Sequence, residues 1–220
     1  MSSSNRKEVF LVDNSNINKQ YILIKMKNNI LYSIELDILI NLNCHGIASV
    51  IDAFVSKNSL YYVLEYIEGN QLDSIEFKID MFNKSDIIGL VYKLSIIIDY
   101  LHSIKPYSVI HCDIKPDNII VDNFLNIFLI DFDSAFYYNE FLGQNISFGT
   151  KEYSSPEQIL FPNQINTSSD IYSFGKVVLY IMSGYFIKEL FQIAMECTEL
   201  IPCNRPSSMK YIINKIKLLL

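Results

Sequence analysis

Histidine and cysteine are scarce in this 220-residue chain, and their spacing offers no metal centre. The three histidines (His45, His102, His111) and four cysteines (Cys44, Cys112, Cys197, Cys203) contain no C-x-x-C pair, which argues against zinc. The cysteines read as reduced thiols, so a cytoplasmic location is expected. Positive charge is also in deficit. Eighteen Lys and Arg face 24 Asp and Glu, giving a net charge of −6, and the pI is about 5.1. Such a balance lacks the basic face that nucleic-acid binding needs, and no nucleic-acid partner is expected. No run reaches the roughly 18 consecutive apolar residues of a membrane-spanning helix. The opening MSSSNRKE has no apolar stretch like that of a signal peptide.

What is present is core-forming material. Half the residues are hydrophobic, and the length suits one large domain or two lobes sharing a cleft. Isoleucine alone occurs 35 times, so an Ile-rich run counts as a strand only where the period agrees. On that criterion Glu8–Val12 and Gln20–Lys25 read as strands joined by the polar turn Asp13–Asn16. Residues 31–42 read as a helix, with Ile34, Ile38 and Leu42 recurring every four positions. Two more strands are expected at Ser49–Val55 and Ser59–Glu65. Past residue 70 the period changes. Ser85 is a candidate N-cap before a stripe of Ile87, Ile88, Val91, Leu94, Ile98 and Leu101. Asp170–Ser183 is apolar on nearly every side, as a buried helix would be, with Gly184 placed to end it. A last helix is expected at Ser207–Leu219.

Between two short apolar runs lies Ile110-His111-Cys112-Asp113-Ile114-Lys115-Pro116-Asp117-Asn118, which supplies an acid, a cation and an amide within six residues. Thirteen residues beyond Asn118, after the apolar Ile127–Ile130, comes Asp131-Phe132-Asp133. A carboxylate at a strand end, facing a loop with Asp, Lys and Asn, suits a metal–phosphate site. Phosphoryl transfer needs little else: phosphates held, Mg²⁺ to neutralise them, and a carboxylate to orient the attacking hydroxyl.

The segment His111–Asn118, HCDIKPDN, resembles the protein-kinase catalytic loop H-R-D-x-K-x-x-N, and Asp131-Phe132-Asp133 resembles D-F-G. Gly149–Gln158 resembles the segment ending in A-P-E. Ser169–Gly175 and Asn204-Arg205-Pro206 resemble later landmarks of the same family, all in family order. The resemblance is to serine/threonine protein kinases. It implies an α+β, two-lobed kinase-like fold in a single domain over residues 1–220. The strand-rich N-lobe would cover about 1–66, the hinge about 65–72 and the helical C-lobe about 73–220. It implies ATP and Mg²⁺ as cofactors, and a protein substrate with a Ser or Thr acceptor.

Carried over by position, Asp113 would accept the proton of the substrate hydroxyl, and Lys115 would neutralise the γ-phosphate. Asn118 and Asp131 would hold Mg²⁺. Ile22-Leu23-Ile24-Lys25 is similar to V-A-I-K, so Lys25 would bind the α/β-phosphates, with Glu35 as its helix partner and Asp37 as the alternative. Glu65 and Ile67 would present backbone groups to adenine, beside Leu64, with Ile120 as the floor. Thr150 would contact Asp113 and Lys115. Glu157 and Arg205 would form a structural ion pair, and Asp170 would anchor the catalytic loop. The chain departs from the pattern at several points. The glycines of the phosphate lid fall on Ser2, Ser4 and Lys7. Leu23 replaces the small residue over adenine, Asp133 the last residue of D-F-G, and Cys112 the arginine of H-R-D. Gly184–Arg205 is short where the family carries another helix and a docking surface. Two readings follow: a Ser/Thr protein kinase, or a pseudokinase that regulates a partner.

Overall fold

Strand alternation sets the first sheet. The computed structural model describes residues 7–27, 32–74, 82–138 and 151–220. β1 (Lys7–Asn14) pairs with β2 (Lys19–Met26) in an unbroken antiparallel register. After α1 (Ile34–Asn41) come β3 (Val50–Ser56) and β4 (Ser59–Glu65). Lys57 and Asn58 both take left-handed backbone, φ 46° and 61°, as a two-residue hairpin loop requires. The sheet order is β1-β2-β4-β3. Its inner face carries Ile24, Met26, Leu60 and Tyr62, which pack against Leu36 of α1. Ser33 caps α1 by accepting the Leu36 N–H. A short connector leads to β5 (Asn70–Gln71).

Helices dominate the remainder. α2 (Lys84–Ser103) buries the whole apolar stripe read from the sequence. Its cap is Asn83 rather than Ser85, because Asp86 closes a reciprocal capping box with Asn83. Then follow β6 (Val109–Ile110), β7 (Ile119–Val121), β8 (Ile127–Leu129) and β9 (Phe136–Tyr137). They form two small antiparallel sheets, β5-β7-β8 and β6-β9. These put the segment 111–118 between β6 and β7, and Asp131 just beyond β8. Gly46, at φ 111°, accepts the Leu129 N–H on its carbonyl oxygen at 2.8 Å. A Cβ there would lie 2.5 Å from Ile97 of α2, so only glycine lets this loop close on both elements.

α3 (Pro156–Leu160) and α4 (Thr167–Ile181) follow, then α5 (Lys188–Cys197) and α6 (Met209–Lys217). α2, α4, α5 and α6 share one core with β7 and β8. α4 starts three residues earlier than its apolar pattern suggested, capped by Asn166. Gly184 does not end it in a left-handed turn. The chain leaves through Met182 in right-handed helical backbone, its N–H shared by the Val178 and Tyr180 carbonyls. The segment 184–205 is short, yet it holds α5, whose Leu190, Ile193, Ala194 and Cys197 form a buried stripe. Among the described residues no helix is long and apolar enough to cross a membrane.

Candidate active site

The loop between β6 and β7 is fixed from beneath by α4. Asp170, in the first turn of α4 and fully buried, accepts the His111 and Cys112 backbone N–H groups at 2.9 and 3.0 Å. His102 of α2 stands 3.0 Å from the same carboxylate. Burial alone would raise the Asp170 carboxyl, but the bonds from His102 and the His111 backbone hold it below the ordinary carboxylate range. Cys112 adopts φ 64°, which bends the chain so that consecutive N–H groups reach one acceptor. Its carbonyl accepts the Gln158 side-chain amide at 2.8 Å. Burial pushes the Cys112 thiol well up, so it stays a neutral packing group where the family arginine would stand.

Above this anchor three polar side chains converge. The Asp113 carboxylate lies 2.9 Å from Lys115 Nζ and 2.9 Å from Asn118 Nδ2, and Asn118 also donates to the Asp113 backbone carbonyl at 2.9 Å. A 3-10 turn at Pro116–Asn118 brings Asn118 back over Asp113. His111 is buried edge-on to Phe132 at 4.7 Å, and burial lowers its imidazole, so it packs as a neutral ring. Asp131 sits at φ 61° beyond β8, its side chain 41% exposed. The scaffold pair also forms. Arg205 grips Glu157 through two nitrogens at 2.6 and 2.9 Å, with Ser169 adding a third bond to Glu157.

The strand lysine is where sequence and structure part. Lys25 does not meet Glu35: it pairs with Glu8 at 3.2 Å and is 36% exposed. Period-two alternation explains this, because Ile24 and Met26 fill the inner face and so Leu23 and Lys25 stand on the outer one. Leu23 therefore stands on the face of β2 turned away from α1. Lys7 of β1 takes the partner instead. Its ammonium lies 3.0 Å from Glu35, 2.8 Å from Asp131 and 4.0 Å from Asp133. Burial alone would lower the Lys7 ammonium, but these carboxylates overcome it and hold it above the ordinary lysine value. Burial raises the Glu35 carboxyl, opposed by Lys7 and by Tyr62, whose hydroxyl donates to Glu35 at 2.6 Å. The signal for Lys7 was present in the sequence as the alternation Ile22, Ile24, Met26 against Leu23, Lys25, Lys27.

At the connector, Glu65 donates its N–H to the Ser49 carbonyl at 2.9 Å, so any group it offers a base must be its own carbonyl. Ile67 is buried beside it. Ile120 lies between the core residues Ile119 and Val121 of β7 and faces the other way. A cavity of about 320 Å³ touches the connector, lined by His45, Glu65, Ile67, Asp122, Phe124 and Phe128. None of Lys7, Asp113, Asn118 and Asp131 lines it, so it is separate from the convergence above. Thr150, Ser2 and Ser4 lie outside the described residues.

Among the described residues no group of three His, Cys, Asp or Glu side chains forms a metal cage. Mg²⁺ does not need one, since it takes one or two protein carboxylates or amides and completes its shell with phosphates and water. The exposed Asp131 carboxylate and the Asn118 amide oxygen fit that donor set.

The family model "Protein kinase domain" matches residues 12–210. The chain is 34% identical over 154 residues to a striated muscle preferentially expressed protein kinase of Danio rerio, covering 68% of this chain and 5% of that protein. It is 30% identical over 184 residues to calcium-dependent protein kinase 6 of Plasmodium berghei, covering 80% and 12%. It is 28% identical over 155 residues to a probable serine/threonine-protein kinase of Saccharomyces cerevisiae, covering 70% and 15%. The chain thus spans only a small part of the length of these relatives. With the catalytic-loop convergence and a match over nearly its whole length, this chain belongs to the protein kinase family.

Proposed function

We propose that the chain is an ATP-dependent protein kinase that transfers the γ-phosphoryl group to Ser or Thr hydroxyls. One observation carries the reading: Asp113, Lys115 and Asn118 form a single hydrogen-bonded group, with one Asp113 oxygen, Oδ2, shared by both partners at 2.9 Å. Such a group can receive a hydroxyl, neutralise a phosphoryl oxygen and offer an amide oxygen to a metal. The acceptor class rests on the serine/threonine relative and on Thr150.

In this reading the acceptor hydroxyl hydrogen-bonds the Asp113 carboxylate. As its oxygen bonds the γ-phosphorus, the proton passes to Asp113 and the β–γ bridging oxygen departs with ADP. Lys115 neutralises charge on the γ-phosphoryl oxygens. Asn118 and Asp131 would hold Mg²⁺, which when bound neutralises charge on the phosphates. Glu65 and Ile67 offer backbone groups to the base, and Ile120 underlies it.

The test is ATP-dependent labelling of a generic protein substrate with Mg²⁺. Asp113→Asn should lower the rate by about 10²–10⁴-fold, the usual share of a positioned acid–base group. Undiminished labelling by that variant would remove Asp113 from the mechanism. A second reading, a regulatory binding module without transfer, is favoured by the Asp131 carboxylate being already engaged by Lys7 at 2.8 Å. A protein that Mg·ATP stabilises against thermal unfolding, but that labels nothing, would fit it.

A further inference from the structure

The β1–β2 register sets Lys7 directly opposite Met26, and Glu8 opposite Lys25. Opposed residues of an antiparallel pair share a face, so Lys7 and Met26 both point to the inner side, and Glu8 and Lys25 to the outer. Ile24 and Met26 lie in the buried cluster with Tyr62, which confirms which side is inner. A cation from β2 on that side would have to come from position 24 or 26, and both are apolar. Lys7 supplies it from the neighbouring strand. It is also the residue on which the third glycine of a phosphate lid would fall.

We infer that Lys7, and not Lys25, is the lysine that grips the nucleotide phosphates, an assignment that rests on the protein-kinase reading above. The geometry is specific. The Lys7 side chain is 12% exposed, and its ammonium spans from Glu35 to Asp131 at 3.0 and 2.8 Å, with Asp133 at 4.0 Å. Glu35 is itself fixed by the Tyr62 hydroxyl. One ammonium among three carboxylates leaves the group net negative, which suits the arrival of Mg²⁺ together with phosphate. Asp131 can then turn from Lys7 to the metal, which frees one Lys7 proton for a phosphate oxygen while Glu35 keeps its hold. The lysine absent from the inner face of β2 and the lysine at the third lid-glycine position then become one change: the cation that meets the phosphates comes from β1 rather than β2.

The test compares Mg·ATP affinity by calorimetric titration for the wild type, Lys7→Met, Lys25→Met and the double variant K7M/M26K, with thermal unfolding run on each. Lys7→Met should weaken binding about tenfold or more, the loss expected for one charge-assisted bond, while Lys25→Met should bind within about twofold of wild type, as an exposed pair predicts. Returning the cation from the opposed position, K7M/M26K should recover affinity. If Lys7→Met is unfolded because Glu35 is left buried without its cation, Lys7→Arg and K7M/M26K decide, since both restore the charge. Loss of binding in Lys25→Met, unchanged binding in Lys7→Met, or a folded K7M/M26K as weak as Lys7→Met overturns the assignment. Failure of the wild type to bind Mg·ATP removes it as well. Binding that depends on Lys7 in a protein that labels no substrate would uphold the assignment and remove the kinase reading.

Discussion

The helical region and the strand-rich region each bury an ion-paired centre, and the two are built in opposite ways. Glu157 and Arg205 meet one to one through two short bonds, and the remaining guanidinium protons go to the Glu199, Leu200 and Ser168 carbonyls. Charge and hydrogen bonds are both complete. At the other centre a single Lys7 ammonium serves Glu35 and Asp131, with Asp133 close by. That centre is short of positive charge. The completed pair holds α3 against the loop before α6, and the uncompleted one joins β1 and α1 to the residues just beyond β8. The proposed phosphate-gripping centre is thus left unbalanced, whereas the pair that holds elements together is closed.

Breaking the completed pair should have the largest effect on stability. Arg205→Ala leaves the buried Glu157 without its cation, and chemical denaturation should show a loss of about 3–5 kcal/mol. A loss below about 1 kcal/mol would mean that the pair is not the fastening described. Next is the anchor beneath the loop 111–118. Asp170→Ala removes the acceptor of two backbone N–H groups and should cost about 1.5–3 kcal/mol. The acid limb sharpens this. The folded Asp170 and Glu157 carboxyls both lie below their ordinary values of 3.8 and 4.5. Their stabilisation is therefore whole above those values and is lost as pH falls through the lower, folded ones. Denaturation between neutral pH and pH 3 should show stability falling at the acid end, with a shallower fall in Asp170→Ala. The smallest effect is expected at an exposed pair. Lys215 and Glu196 lie 2.6 Å apart but are 34% and 44% exposed, so Lys215→Ala should change stability by no more than about 1 kcal/mol.

The same contrast explains what could be read from the sequence. The convergence in the loop 111–118 was legible because Asp113, Lys115 and Asn118 lie in one short run and need only the turn at Pro116. The α2 stripe was legible because a long helix repeats its period many times. The Asp170 anchor and the Glu157–Arg205 pair were legible through ordered landmarks. Lys7 was not, because its contacts with Glu35 and Asp131 span 28 and 124 residues and depend on which face of β2 turns inward. A one-residue difference in that choice moves every side chain to the opposite face. The run Ile22-Leu23-Ile24-Lys25 fits the family motif by spelling, while the apolar alternation Ile22, Ile24, Met26 gives the correct side. α5 was passed over because its four-residue stripe sits in a segment judged by its length. The Asn83 cap was missed because Asn83 and Ser85 are both good caps, and only Asp86 at the third helical position chooses between them.

The amide bond that Gln158 makes to the Cys112 carbonyl has a consequence for how the site opens. Gln158 belongs to α3 and holds the Cys112 carbonyl, while Asp170 of α4 holds the His111 and Cys112 N–H groups. The His111 and Cys112 amides cannot exchange with solvent by local fraying of the loop alone, because α4 holds them and α3 holds the carbonyl that follows. Their hydrogen–deuterium exchange should report the concerted release of α3 and α4, placing the loop 111–118 in the slowest-opening unit of the helical region.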